Sequence, residues 1–208
     1  MTIALRDVSL LVPQESRFPL AGGAMTFAVP DILTRKFDKR FALFDADGDG
    51  VLTKDDFEAA AVRFLAAFGV PAGSAKGRDV LAAYASMWNA LIHSADNDSD
   101  GQLSRAEFVA YLAGDEFRTN GYAVTAGRIA ESILAVCDTD GDGRISYEEF
   151  ATIPGISALP DDERREAFGR LDTNASGHLE LGEIHAAQRD FYNSTDPDAP
   201  GNLIFGRL

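Results

Sequence analysis

From Asp31 onward, apolar residues recur at the i, i+3, i+4, i+7 spacing of amphipathic helices. Four short runs rich in Asp and Gly interrupt this pattern: DADGDGVLTKDD at 45–56, DNDSDGQLSRAE at 96–107, DTDGDGRISYEE at 138–149 and DTNASGHLELGE at 172–183. Apolar stripes precede them at Phe37, Phe41 and Phe44, at Trp88, Leu91 and Ile92, at Ile133, Leu134 and Cys137, and at Phe168 and Leu171. Directly after the runs come Phe57, Phe108, Phe150 and Ile184, each placed to open the buried face of an outgoing helix. The pattern therefore predicts a helix on each side of every run and an all-α fold. Each run has Gly at its sixth position (Gly50, Gly101, Gly143, Gly177) and an aliphatic residue at its eighth (Leu52, Leu103, Ile145, Leu179). The aliphatic residues are placed to join the loops in pairs, first with second and third with fourth, across a two-residue β contact.

The organisation expected is a pair of units over 31–113, a boundary around the Gly114 to Gly121 stretch, a second pair over 121–193, and a tail over 194–208. In the tail, Leu203, Ile204, Phe205 and Leu208 place four large apolar residues within six positions, so it should dock on the core rather than trail in solvent. Residues 1–30 carry Pro13, Pro19, Gly22, Gly23 and Pro30 without any repeat, and read as a poorly structured extension. Pro13, Glu15 and Arg17 stop the short apolar stretch near Leu10, which argues against a secretory signal.

The chemistry of the loops follows from what a hard divalent cation requires, six to eight oxygen ligands at about 2.3–2.6 Å. A twelve-residue loop supplies them with acidic side chains at positions 1, 3 and 5, a backbone carbonyl at 7, and a two-oxygen clamp from Glu at 12. The sharp reversal at position 6 calls for Gly. Asp96, Asp98, Asp100, Gln102 (through its carbonyl) and Glu107 meet this pattern, as do Asp138, Asp140, Asp142, Arg144 (carbonyl) and Glu149. Both loops match the EF-hand pattern without exception. In the first loop, Asp45, Asp47, Asp49 and the Val51 carbonyl are followed by Asp56, one methylene shorter than Glu. Weaker calcium binding or greater magnesium tolerance is expected there. In the fourth, Asp172, Asn174, Ser176, the His178 carbonyl and Glu183 form the set, with neutral groups at positions 3 and 5, and Glu180 at position 9 could restore a carboxylate, directly or through a water. Up to four calcium ions are expected, with magnesium competing most at the loop ending in Asp56.

Other reactive side chains have plainer readings. Cys137 lies on an apolar stripe as a buried thiol, His93 and His185 lack metal-spaced partners, and Trp88 belongs to the core. A single cysteine excludes an internal disulfide framework.

Charge sharpens this reading. The chain has 208 residues, 46% of them hydrophobic, and a formal net charge of −14 from 19 basic and 33 acidic residues. Fifteen of those acids are ligand-position residues or Glu180, and without them the net charge is about +1. The acidity is concentrated in the loops. A nucleic acid or an anionic membrane is disfavoured as partner, no window reaches the length of a membrane span, and a cytoplasmic monomer of unknown protein partner is expected.

Four hands with helical spacers, an Asp-terminated first loop and the PGNLIFG segment at 200–206 resemble the sarcoplasmic calcium-binding proteins and their bacterial calerythrin-like relatives. The resemblance implies two paired-hand lobes packed into one compact protein that buffers calcium and magnesium. In that family the second hand is often degenerate; here it is intact, so four sites are expected rather than three. Arg outnumbers Lys and the chain is rich in Ala, a hint of a GC-rich bacterial gene. Three functional classes follow: a buffer or transporter, a sensor that opens a Met-rich groove, and an enzyme or photoprotein. With only Met1, Met25 and Met87, a promiscuous sensor is disfavoured, leaving one with a Phe-lined groove as the alternative. No GxSxG elbow, phosphate-cradling loop or His-rich cluster points to an enzyme.

Overall fold

The computed structural model describes residues 29–121, 128–206 and 208, so the extension predicted over 1–30 lies almost wholly outside the described residues. Helices α1 (Asp31–Phe44) and α2 (Lys54–Ala67) flank the first loop, and α3 (Ala75–Ala95) and α4 (Arg105–Ala113) the second. Helices α5 (Arg128–Cys137) and α6 (Tyr147–Phe150) flank the third, and α7 (Asp161–Leu171) and α8 (Leu181–Asn193) the fourth. A π-helical turn covers Phe117–Gly121, and a 3-10 turn, Pro200–Leu203, closes the tail. The loops pair as the aliphatic positions predict. Strands β1 (Val51–Leu52) and β2 (Leu103–Ser104) run antiparallel with Leu52 opposite Leu103, and Ile145 bridges Leu179.

Helix α6 is a single turn. Pro154 has no N–H to donate and its ring would clash with the Phe150 carbonyl, and it disfavours helical φ/ψ at Ile153. Gly155, at φ +89°, then turns the chain toward α7.

The stripes meet in one apolar core. Phe44 stacks on Phe57 at 4.2 Å, Phe57 leans on Trp88 at 5.4 Å, and Phe150 meets Phe168 edge-on at 5.5 Å. Helix α1 ties the two halves together. Phe37 stacks on Tyr192 of α8 at 6.3 Å, and the fully buried Lys36 donates to the Ser194 carbonyl at 2.7 Å and the Asp190 carbonyl at 3.3 Å. The Asp190 carbonyl also accepts the Ser194 N–H that closes α8, the Ser194 carbonyl lies just past that end, and a cation there suits the helix dipole. Burial lowers the Lys36 pKa, and the charges of Asp190 and Asp196 oppose that shift.

The tail returns along α8. Phe205 meets Phe191 edge-on at 4.8 Å, Asn202 donates to the carbonyls of Asp196 at 3.0 Å and Pro197 at 2.8 Å, and the Arg170 guanidinium donates to the Asp198 carbonyl.

Candidate metal centres

All four loops wind through the same set of internal hydrogen bonds. The position-1 aspartate accepts the N–H of the position-6 glycine: Asp45 from Gly50 at 3.2 Å, Asp96 from Gly101 at 3.1 Å, Asp138 from Gly143 at 2.9 Å and Asp172 from Gly177 at 2.8 Å. The position-5 side chain accepts from position 7: Asp49 from Val51 at 3.0 Å, Asp100 from Gln102 and Asp142 from Arg144 at 2.8 Å, and Ser176 from His178 at 3.3 Å. Position 3 accepts from position 5 through Asp47, Asp98, Asp140 and Asn174. The position-6 glycines have φ of +82° to +86°. Position 4 is left-handed as well, at Gly48 and Gly141 but also at Ser99 (φ 61°) and Ala175 (φ 53°), a requirement that two non-glycine residues hide in the sequence.

Position 12 separates the loops. In the second, Glu107 accepts from the Asn97 N–H at 2.9 Å with one oxygen and from Ser104 with the other. Glu149 does the same with Thr139 at 2.7 Å and Ser146 at 2.8 Å, and Glu183 with Thr173 at 2.8 Å and Glu180 N–H at 3.0 Å. Each Glu thus spans from its own helix N-terminus to the second residue of its loop. Among the described residues Asp56 accepts only from Thr53, through N–H at 2.8 Å and hydroxyl at 2.6 Å, while the Ala46 N–H turns back to the Phe44 carbonyl. The missing methylene leaves Asp56 at the helix cap.

The acid clusters reflect this. Asp96, Asp98 and Glu107 bring oxygens within 4.8 Å of one another, as do Asp138, Asp140 and Glu149, both trios including position 12. The first loop's trio is Asp45, Asp47 and Asp49, without Asp56, and among the described residues the fourth loop forms none. There the Ser176 hydroxyl donates at 3.0 Å to the His178 carbonyl, the group that position 7 would offer a cation, and Asn174 and Glu180 are exposed.

These residues fit a hard divalent cation. Asp45 and Asp96 each keep one buried carboxylate oxygen without a hydrogen-bond partner, an expensive arrangement unless a cation completes it. Electrostatics agree for the clamps. Burial pushes the Glu149 carboxyl up, but hydrogen bonds from Ser146 and Thr139 outweigh it and hold the pKa at about 2. Glu107 is lowered chiefly by the Ser104 hydroxyl and the Asn97 N–H. Asp98 is raised by desolvation and by the neighbouring charge of Asp100.

Outside the loops, Cys137 is fully buried and burial pushes its thiol far up, so it is inert. His93 is exposed on α3, His185 is half-buried on α8, and Trp88 lies in the core. The sequence reading missed Lys36 and Arg40, both buried on α1. Arg40 falls on the apolar stripe one turn before Phe44, which was the available signal.

Paired helix–loop–helix units carrying oxygen-rich twelve-residue loops define the class as EF-hand calcium-binding proteins. Family models agree, an EF-hand domain pair matching residues 34–113 and a single EF hand matching 131–154. Calerythrin of Saccharopolyspora erythraea is 32% identical over 163 residues, covering 77% of this chain and 92% of that protein. The β chain of the sarcoplasmic calcium-binding protein of Penaeus is 29% identical, covering 80% and 91%. A solved calcium-binding protein of Streptomyces coelicolor, described as a basis for prokaryotic calcium-mediated regulation, is 33% identical with a TM-score of 0.66, covering 77% of this chain and 97% of that one. The chain belongs to the calerythrin-like family of EF-hand calcium-binding proteins, related to the sarcoplasmic calcium-binding proteins. Among the described residues, no helix is long and apolar enough to cross a membrane.

Proposed function

We propose that this protein is a cytoplasmic, monomeric Ca2+/Mg2+ buffer or transporter with up to four sites, and that it is not an enzyme. The ligands are the side chains named at positions 1, 3, 5 and 12 of each loop, Asn174 and Ser176 included, with the carbonyl at position 7, carried on hand pairs over 31–113 and 121–193. The observation that carries the buffer reading is the tail. Phe205 lies on Phe191 of α8 and Gly201 is pressed against the same helix, so the chain itself covers the apolar face that a sensor would open to a partner.

The loops should rank with the second and third tightest, the first weaker and more tolerant of magnesium, and the fourth weakest. Asp56→Glu restores the reach from helix cap to loop start, and calorimetry should record calcium binding at the first loop tightened about tenfold, equivalent to one charge-assisted contact. Ser176→Asp releases the His178 carbonyl and adds a charge, and should tighten the fourth loop similarly. Unchanged isotherms for both would discard the ranking.

The alternative is a sensor that exposes a Phe-lined groove, favoured by the regulatory role ascribed to the Streptomyces coelicolor relative. Fluorescence of an apolar-surface dye decides between them. The buffer gives no rise, or a fall, when calcium is added to the apo protein; the sensor gives a rise.

A further inference from the structure

Between the two halves of the molecule lies a cavity of about 100 Å³, bounded by α1, α2, α3, α5, α8, residues 153–154 and the tail. A second cavity of about 70 Å³ in the C-terminal half shares Ile133, Ile153, Gln188 and Phe205 with it. In a chain of net charge −14, the wall of the first cavity contains two arginines, Arg40 and Arg63, and no acidic residue. Arg63 sits at the rim and donates to the Leu43 carbonyl at 3.3 Å. Arg40 is more than nine-tenths buried, and its guanidinium carbon lies 4.3 Å from the Phe44 ring centre and 4.5 Å from that of Phe205. Among the described residues it forms no ion pair, and its Nε–H has no hydrogen-bond partner.

A buried guanidinium normally has an anion beside it, because taking an unpaired charge out of water is costly. The two rings offset part of that cost but leave an N–H donor unsatisfied. We propose that the cavity is a binding site for a small apolar carboxylate, its carboxyl group on Arg40 and its hydrocarbon body against Ile133 and Phe205. A planar carboxylate matches the guanidinium fork, and Tyr84, Gln188 and Tyr192 are the further polar side chains of a wall whose remaining residues, apart from the two arginines, are apolar. At about 100 Å³ the cavity by itself suits a short alkyl chain, and an aromatic ring would also occupy the adjoining space of about 70 Å³ along the shared Ile133 and Phe205, since a dry cavity of about 150 Å³ accepts benzene. The site is independent of the four loops. Phe205 forms part of its wall, and the exposed Arg63 marks its rim.

The test uses the full-length, calcium-saturated protein and isothermal titration with sodium benzoate, benzamide, and sodium chloride at equal ionic strength. One benzoate per chain is expected, with benzamide at least about tenfold weaker, the loss of one charge-assisted contact. Arg40→Met should weaken benzoate by a similar factor. Ile133→Phe, which fills the cavity and leaves Arg40 in place, should also abolish binding, and it decides the matter should the Arg40 variant fail to fold. No heat with benzoate, equal binding of benzamide or chloride, or benzoate binding unaffected by Ile133→Phe would each overturn the proposal and leave water as the occupant.

Discussion

Glu149→Gln should remove one calcium ion from the stoichiometry and weaken binding at the third loop by about 100-fold or more, as read by calorimetry. The carboxylate does two things that an amide cannot do together. One oxygen faces the N–H and hydroxyl of Thr139 and the other faces the N–H and hydroxyl of Ser146, so both oxygens are fixed before any cation arrives. Gln presents one acceptor and one donor group, so one end of this span is lost and the two-oxygen clamp with it. Losing one or two charge-assisted bonds, about 1.5–3 kcal/mol each, accounts for the size of the effect. The Ile145–Leu179 bridge should pass part of the loss to the fourth loop, whereas the first and second loops should titrate as before. Unchanged stoichiometry would show that Glu149 is only a helix cap. The same hydrogen bonds set a pH dependence. The folded pKa of about 2 lies below the ordinary glutamate value of 4.5, so this contribution to stability is complete above the unfolded value and is lost as pH falls through about 2. The clamp therefore stays charged in mildly acidic solution.

What could be read from the sequence divides along a physical line. Loop conformation is local: a position-1 carboxylate bonding a position-6 N–H needs only a few consecutive residues and a glycine free to take positive φ, so the loops were legible residue by residue. Loop pairing was legible because an aliphatic residue at position eight has one place to go. The single-turn α6 was written in Pro154 and Gly155, two local signals that the periodicity of the preceding segment masked. The apolar stripe hinted that Arg40 is buried, but the partners of Lys36 and Arg40 were not legible, since nothing within one helix says which distant groups will receive a long basic side chain. Lys36 is buried because α8 ends beside it and turns the Ser194 carbonyl toward it, and Arg40 because the tail brings Phe205 over it. Asp56 is intermediate. Its short side chain was evident, but its retreat to the Thr53 cap, with Ala46 turning elsewhere, is a property of the folded loop.

Gly201→Ala should cost about 3 kcal/mol, lowering the melting midpoint of the calcium form by roughly 10 °C, by forcing the tail off α8. A Cβ at this position would lie 2.2 Å from the Ala187 carbonyl oxygen, 2.4 Å from the Asp190 Cβ and 2.9 Å from the Phe191 nitrogen. Two of these are backbone atoms inside a helix, which cannot give way as a flexible side chain would, so the 3-10 turn must move. Its departure pulls Leu203, Ile204 and Phe205 from half-buried positions, and partial re-exposure of three such side chains sums to that figure. Deleting residues 200–208 is the matched control. Equal losses in the two variants mean that the methyl group expels the whole tail, and a smaller loss for Gly201→Ala means that the turn shifts while Phe205 stays in place. Both variants should also raise dye fluorescence in the calcium form, because the face of α8 at Phe191 and the side of Arg40 that Phe205 covers become accessible together. Unchanged midpoints in both would show that the tail lies on the core without stabilising it, and the buffer reading would then lose its main support.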